Sequence, residues 1–355
     1  MTEMINQEKR SNVRRSASTV QAFKESNIKK NIPGLLMVFI IAYISQSVGK
    51  DIPLLGSTVT AILLGVLIRN FIGMPTVFSP GIQYSLKSVL KLAIILLGTS
   101  LNLVQVFTIG SQSIVVISAV VILGIILTIG IGRWMGLSGN IPALIGVGTA
   151  ICGATAIAAI SPIMKSKEEE TAFAITTIFI FNIIAVILYP IIGVLTGMND
   201  EVFGMWAGAA IHDTSSVVAA SFAYSDEAGG IATVVKLTRT LFLIPLALLI
   251  GIYISSRASK EGGTLSGVKI SKIFPWFLLG FLAMSVLNTL GMFSESAVQN
   301  ITQTSKFMIL MAMASVGLGV NFKQIKEIGL KPIYLGLIAS LIVALVSILI
   351  IYLIL

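Results

Sequence analysis

The sequence predicts an all-α polytopic membrane protein, a helical bundle with nine to eleven membrane segments. Of its 355 residues, 55% are hydrophobic and only 11% are charged, whereas about a quarter of a water-soluble domain is charged. Apolar stretches long enough to cross a hydrocarbon core about 30 Å thick recur from Pro33 to Leu355. No strand-length alternation of apolar and polar residues runs through the chain, so the spanning backbone is expected to satisfy its hydrogen bonds within helices.

The first 32 residues form a polar basic arm, and residues 33–355 form the transmembrane domain. Seven of the 24 basic residues lie in the arm: Lys9, Arg10, Arg14, Arg15, Lys24, Lys29 and Lys30. Basic residues beside membrane spans stay on the cytoplasmic side, so we expect a cytoplasmic N-terminus. The arm lacks the early apolar run of a cleavable signal peptide and is expected to be disordered.

Eleven apolar segments follow the arm. They lie at 33–49, 55–72, 88–106, 112–131, 141–163, 171–197, 202–223, 230–255, 273–293, 303–320 and 332–354. The segments 141–163 and 202–223 differ from the others because Gly, Ala, Ser and Thr dominate them. If all eleven crossed, Lys165 and Lys167 would lie outside, against the charge bias. We therefore favour nine crossings, with 141–163 and 202–223 broken or re-entrant.

Weak internal repeats suggest that the bundle is an inverted repeat. Residues 98–110 resemble residues 317–329 at two glycines, an asparagine, a glutamine and an isoleucine, and residues 148–161 resemble residues 208–221 at Gly, Ala, Ile and Ser positions. In the nine-crossing arrangement both pairs run in opposite directions. Inverted repeats with interrupted helices are a recurring architecture of secondary transporters. Coincidence in a chain rich in Gly and Ile is the alternative.

The segment 141–163 carries three glycines that would let a helix open: Gly146, Gly148 and Gly153. An opened helix offers backbone amides and a positive helix terminus to an anion. Close packing of small residues between helices is the competing interpretation, and on glycine spacing alone it is favoured. Cys152, the only cysteine, has no evident base nearby and is more typical of a packing residue than of a nucleophile.

The segment 202–223 contains the only histidine, His212, followed by Asp213 and three hydroxyl residues. Ionisable groups at membrane depth usually face a cavity or a partner, and a histidine can exchange protons near neutral pH. His212 and Asp213 are therefore expected to couple transport to an ion and to lie in a hydrated cavity. A structural ion pair between Asp213 and Arg239 is the alternative.

Lys236 and Arg239 lie deep in the next apolar segment. Their three-residue spacing puts both cations on one helix face, roughly 9 Å and 14 Å from Gly230 at 1.5 Å per residue. Because one Asp213 cannot neutralise both, we expect the pair to bind an anion. One histidine without clustered carboxylates predicts no metal site, and the absence of a Gly-rich Lys-Ser/Thr loop predicts no ATP-driven pump. No cofactor is expected.

Several motifs together resemble the YeiH family, whose members are named as sulfate exporters. They are Gly146-Val-Gly-Thr-Ala-Ile-Cys-Gly-Ala154, Gly208-Ala-Ala-Ile-His-Asp213, Val217-Val-Ala-Ala220, Lys236-Leu-Thr-Arg239, Pro275-Trp-Phe277, Leu310-Met-Ala-Met-Ala314 and Gly317-Leu-Gly319. The resemblance covers nearly all of the chain after residue 33. It implies a multi-pass bacterial inner-membrane transporter of sulfate or a related sulfur oxyanion, with a broken-helix core.

The resemblance and the residue patterns together give the expected sites. Substrate binding is expected at Gly146, Gly148, Thr149, Cys152, Gly153, Thr155, Thr214, Ser215, Ser216, Lys236 and Arg239, and coupling to protons or sodium at His212 and Asp213. A membrane-embedded enzyme using His212 and Asp213, or a passive anion channel, stays open as an alternative function. Expected partners are a small anionic solute, a coupling ion and the lipid bilayer, but no nucleic acid; a homodimer is one of the oligomeric states that the sequence leaves open.

Overall fold

The computed structural model describes residues 30–49, 56–259, 274–320 and 330–354. Regular structure in these ranges is entirely helical, as the sequence predicts. The basic arm and most of the repeat at 317–329 lie outside the described residues. Among the described residues, seven helices are long and apolar enough to cross a membrane, and further apolar helices are shorter. The protein is therefore an all-helical membrane protein, while the count of nine to eleven segments and the inverted repeat stay predictions.

The helices are numbered here in chain order. They are α1 (Lys30–Gly49), α2 (Gly56–Ile72), α3 (Thr76–Ser100), α4 (Leu103–Trp134), α5 (Ile141–Ala150), α6 (Ala154–Ile160), α7 (Glu168–Leu195), α8 (Asp200–Ala210), α9 (Thr214–Tyr224), α10 (Asp226–Leu241), α11 (Leu243–Ser259), α12 (Phe277–Thr289), α13 (Glu295–Gly319) and α14 (Leu330–Ile354).

Each of the two unusual segments folds as a helical hairpin. Helices α5 and α6 are separated by a break at 151–153, where Gly153 adopts φ 64°, a left-handed conformation that favours glycine. The base of this hairpin is closed by the side-chain amide of Asn140, which donates to the carbonyl of Met164 at 3.2 Å. The segment therefore returns to the end of the molecule from which it started.

The second hairpin consists of α8 and α9, which are separated by a break at 211–213. At its base, the Ser225 hydroxyl donates to the carboxylate of Asp200 at 2.5 Å, and the Tyr224 hydroxyl donates to the carbonyl of Met198. This segment also returns to its starting end. The chain turns at the base of this hairpin, where Asn199 and Ser225 are the N-caps of the helices that begin beside them.

Helix α7 shows that the two hairpins start from opposite ends of the molecule. Its 28 residues span about 42 Å at 1.5 Å per residue. Glu170 at its start accepts a hydrogen bond from the backbone N–H of Asn140 at the first hairpin base, whereas its last residue, Leu195, lies a short loop before the second base. Near its middle, Asn182 accepts from the backbone N–H of Asp213 in the second break. The hairpin tips therefore meet about half-way along α7.

The buried side chains form two packing clusters. One joins α5, α6, α8, α11 and α14 with parts of α4, α7, α9 and α10, and this group is called the hairpin bundle. The other is centred on α1, α2, α3, α12 and α13, which form the flanking bundle. Val218 and Ala219 of α9 pack in the second cluster, although Val217 and Ala220 pack in the first. Helix α9 is therefore a contact between the bundles.

Within the flanking bundle, α2 and α13 touch backbone to backbone. A Cβ atom added to Gly65 would lie 2.6 Å from the carbonyl oxygen of Ala314, and one added to Gly317 would lie 2.1 Å from that of Ile62. Small residues permit such close approach between membrane helices. These two glycines therefore fix the distance between α2 and α13.

Candidate functional site

The two hairpin tips meet in a junction that contains the only histidine and the only cysteine of the chain. A Cβ atom added to Gly153 would lie 3.4 Å from the Cβ of Asp213. The ring nitrogen Nδ1 of His212 lies 3.2 Å from the carbonyl oxygen of Thr149. Contacts from the second tip thus reach both the break and the last turn before it in the first hairpin.

His212 is buried, and both of its ring nitrogens have partners. Nδ1 faces the Thr149 carbonyl, and Nε2 lies 2.8 Å from the hydroxyl of Ser340 on α14. The ring therefore ties both hairpins to α14. The expectation that His212 lies in a hydrated cavity is wrong for this structure, because the residue is only 2% exposed.

Asp213 is the carboxylate of the junction and is half-buried. Its side chain accepts from the backbone N–H of Ser215 at 2.9 Å and from the Ser215 hydroxyl, which makes it the N-cap of α9. Its own backbone N–H donates to Asn182 at 3.1 Å. These three hydrogen bonds fix the direction of α9 as it leaves the junction.

Lys236 is fully buried beside the tips. Its ammonium group donates to the carbonyl oxygens of Ile151 at 2.8 Å and Ile211 at 2.9 Å, and to that of His212. These are backbone groups at the two breaks. An ammonium group has three N–H donors, and each of these three carbonyl oxygens can accept from one of them.

Arg239 is fully buried one turn further along α10. Its Nε donates to the carbonyl of Ala150 at 2.7 Å, its Nη1 to that of Ala209 at 2.6 Å, and its Nη2 to that of Thr149. These acceptors are the last carbonyls of α5 and α8, which lack partners within their own helices. Positive charge is favourable at such C-terminal ends.

The predicted solute contacts of Lys236 and Arg239 stay predictions, but the structure gives both cations partners that the sequence did not show. We expected both cations to bind the solute directly, or Arg239 to pair with Asp213. The structure instead directs their donors to the hairpin carbonyls, and the ion pair found among the described residues joins Lys306 to Asp226. The sequence showed the depth and shared face of the cations, but their acceptors are backbone atoms that a sequence does not display.

The other predicted residues divide into a sealed and an accessible group. Gly146 and Gly148 are buried against Thr128 and Ile157, which is the packing role that spacing alone favoured. The rest of the sealed group comprises Thr149, Cys152, Ser215 and Ser216.

Thr155 is exposed, and Ala154, Asp213 and Thr214 are half-buried. These four residues form the accessible edge of the junction, where α6 and α9 begin. The N-terminal ends of α6 and α9 thus lie at the accessible edge. The carbonyl groups at the C-terminal ends of α5 and α8 lie in the interior, where Lys236 and Arg239 donate to them.

A cavity that the sequence did not reveal lies at the end where α10 begins. Its volume is about 700 Å³, and it opens between the two bundles. Its polar lining includes Gln105, Thr108 and Gln112 on α4, Glu201 on α8, Asp226 and Glu227 on α10, and Thr302 and Lys306 on α13. A signal was present in the 3-residue and 4-residue spacing of the polar α4 positions, which places them on one face.

Comparison with known proteins places the chain among bacterial membrane proteins. The family model described as "Conserved hypothetical protein 698" matches residues 33–350. The chain belongs to this family. Its match begins where the basic arm ends and covers all of the helices that build the junction.

Relatives within the family are similar over nearly their whole length. A UPF0324 membrane protein of Clostridium tetani is 38% identical over 336 residues, 91% of this chain and 97% of the relative. One of Streptococcus agalactiae is 40% identical over 317 residues, 87% of this chain and 93% of the relative. One of Fusobacterium nucleatum is 35% identical over 335 residues, 89% and 96% of the two chains. These names describe membrane proteins and specify no solute.

Proposed function

We propose that the protein is a secondary transporter of a small anion, such as sulfate or a related sulfur oxyanion. The observation that carries this proposal is the junction of two hairpins from opposite ends at mid-depth. Interrupted helices that meet near the membrane midplane are the usual binding architecture of secondary transporters. Helical backbone is interrupted at such depth only where protein or a water-filled cavity surrounds it.

The charge of the junction favours an anion. Lys236 and Arg239 contribute two cations against the single carboxylate of Asp213, which leaves one net positive charge if His212 is neutral. A proton on His212 would add a third cation beside the first two. At the accessible edge, the amide end of α6 and the hydroxyls of Thr155 and Thr214 supply hydrogen-bond donors, while the Asp213 carboxylate caps the amide end of α9. An oxyanion at this edge would accept hydrogen bonds from these donors, and the positive charge of Lys236 and Arg239 would lie deeper in the junction.

Transport requires that the junction open alternately to each side. The division into a hairpin bundle and a flanking bundle supports a movement of one against the other. Helix α9 carries the small residues Ala219 and Ala220 at this contact, and small side chains allow close sliding. Asp213, at the accessible edge, is the group proposed to couple the movement to protons or sodium.

The proposed orientation puts the N-terminus and the first hairpin base in the cytoplasm of a bacterial inner membrane, with nine crossings. Arg133, Lys165 and Lys167 lie at or beside this base, while Asp200 and Glu201 begin the second hairpin. The positive-inside rule supports this arrangement. Each hairpin then enters and leaves on its own side.

Flux measurements in proteoliposomes test the proposal. The purified chain is reconstituted, and uptake of radiolabelled sulfate and thiosulfate is followed with and without imposed sodium and proton gradients. We expect saturable uptake that one gradient accelerates. The control variant is Gly130→Ala, because a Cβ atom at Gly130 meets nothing within 4 Å. Absence of gradient-dependent flux for every anion would contradict the transporter, and flux that no gradient drives uphill would indicate a channel.

A further inference from the structure

The cavity between the bundles contains an ion pair that joins them. The ammonium of Lys306, on α13 of the flanking bundle, lies 2.6 Å from the Asp226 carboxylate, on α10 of the hairpin bundle. The same ammonium lies 5.9 Å from the ring centroid of Phe222 on α9. Lys306 therefore contacts two helices of the hairpin bundle from the opposite side of the cavity.

The carboxylate of this ion pair is accessible to water, so another anion can replace it as the partner of Lys306. The side chain of Asp226 is 73% exposed and that of Lys306 is 33% exposed. Exposed ion pairs are weak, because water screens them. Because the Lys306 side chain is mostly covered by protein while the Asp226 side chain is mostly in water, we expect Lys306 to keep its position when Asp226 moves away.

Polar side chains that can donate hydrogen bonds surround Lys306. One turn before it on α13, the buried hydroxyl oxygen of Thr302 has no hydrogen-bond partner within the described part of the chain. Across the cavity stand Gln105, Thr108 and Gln112. Gln112 lies about 14 Å into α4 at 1.5 Å per residue, a depth at which polar side chains usually face water or a ligand.

We propose that Lys306 is an oxyanion-binding residue of the cavity between the bundles, and that a small oxyanion binds there by displacing Asp226. The ion-pair partner of Lys306 in this structure is the carboxylate of Asp226. An incoming oxyanion would offer Lys306 the same kind of acceptor atom, a negatively charged oxygen. Displacement removes the one ion pair found between the bundles in the described residues. Binding of the solute thus removes this electrostatic link between α13 and α10, the helix that holds both hairpin tips. This deepens the proposed transport function and rests on it.

The remaining carboxylates of the cavity set the strength of this site. Glu201, Asp226 and Glu227 against Lys306 leave two net negative charges. Glu201 and Glu227 are exposed, so salt at physiological strength screens them beyond about 8 Å. The site is therefore expected to be weak in the resting protein and to strengthen when Asp226 is neutralised.

The test compares sulfate binding to the purified full-length chain and its variants, with Lys91→Gln as a matched control because Lys91 is exposed on the flanking bundle outside this cavity lining. We expect Lys306→Gln to weaken sulfate binding by about tenfold, as loss of a charged hydrogen bond does. Asp226→Asn should strengthen it by roughly threefold to tenfold, since the competitor is uncharged. The exchange Lys306→Asp with Asp226→Lys moves the cation to the other bundle and should not restore binding.

A second measurement separates this site from the transport function. In Cys152→Ser protein, a cysteine replacing Val104, an apolar residue of the cavity lining, reports the cavity through its rate of maleimide labelling, and sulfate should slow that rate unless Lys306 is changed to Gln. Sulfate protection without flux would support the site and contradict transport. Unchanged protection in Lys306→Gln, or full recovery of binding in the exchanged pair, would overturn the site while leaving transport intact.

Discussion

Lys236 and Arg239 show how much a buried cation can do without touching a solute. Together they donate hydrogen bonds to carbonyls at the C-terminal ends of two broken helices, those of Ile151 and Ala150 in one hairpin and of Ile211 and Ala209 in the other. Removing a partner from a buried charged hydrogen bond leaves the remaining polar groups unsatisfied. The two cations are therefore expected to hold the junction in shape and to contribute its charge.

Arg239→Lys tests this role. A lysine keeps the charge but loses the planar fork that reaches both hairpins, so carbonyls of one hairpin should lose their donor. We expect a loss of thermal stability by about 2 to 5 kcal/mol, measured by unfolding of the detergent-solubilised protein. Lys91→Gln, on an exposed site, serves as the control. Wild-type stability together with lost anion binding would instead indicate direct solute contact.

Asp213→Asn separates coupling from binding. The amide keeps one oxygen that can accept from the backbone N–H of Ser215, so α9 keeps its cap, but the charge is lost. We expect sulfate exchange between equal concentrations to persist, while acceleration by a sodium or proton gradient disappears. Flux that still responds fully to the gradient would exclude Asp213 as the coupling group.

Gly153→Ala probes the break itself. The φ of 64° with ψ of −134° is accessible to glycine and strained for other residues, at a cost of about 1 to 3 kcal/mol. We expect lower stability and loss of transport, measured by unfolding and flux. Gly130→Ala lies in a regular helix with open space around it and should leave both properties nearly unchanged; equal effects of the two substitutions would show that the break tolerates a side chain.

At the scale of elements, the sequence predicted where helices would break but not what holds the breaks together. The concentration of Gly, Ala, Ser and Thr at 141–163 and 202–223 identified both hairpins, because the glycine, serine and threonine residues among them weaken a continuous helix. The contact of His212 with Ser340 and that of Lys306 with Asp226 join residues 128 and 80 positions apart. Contacts of this kind depend on packing between helices, which periodicity does not specify.

Cysteine labelling tests the orientation of the hairpin bases. In Cys152→Ser protein, Lys167→Cys lies at the first base and Glu295→Cys at the start of α13, and both positions are exposed. We expect an impermeant maleimide added to intact cells to label Glu295→Cys and to label Lys167→Cys only after the membrane is opened. Rapid labelling of Lys167→Cys in intact cells would favour eleven crossings.

At the scale of the whole molecule, transport by movement of two bundles predicts that a link between them stops it. A Cβ atom at Gly319 on α13 would lie 3.5 Å from the Phe179 ring on α7, so cysteines at both positions can be joined by a short bis-methanethiosulfonate reagent, which forms disulfides that a reductant cleaves. In Cys152→Ser protein we expect cross-linking to abolish sulfate flux and reduction to restore it. The single-cysteine variants, treated alike, should keep their flux. Undiminished flux through the cross-linked protein would contradict the movement.

The backbone contact between Gly65 and Gly317 has a mechanical consequence. Side chains that separate two helices can change rotamer and act as a soft layer, but here the neighbouring atoms are backbone, which offers no such adjustment. The flanking bundle is then stiff where α2 contacts α13. We expect thermal fluctuations to be larger where the small side chains of α9 contact the flanking bundle. Amide hydrogens of α2 and α13 near the contact should exchange with deuterium more slowly than those of α9, whether or not solute is present.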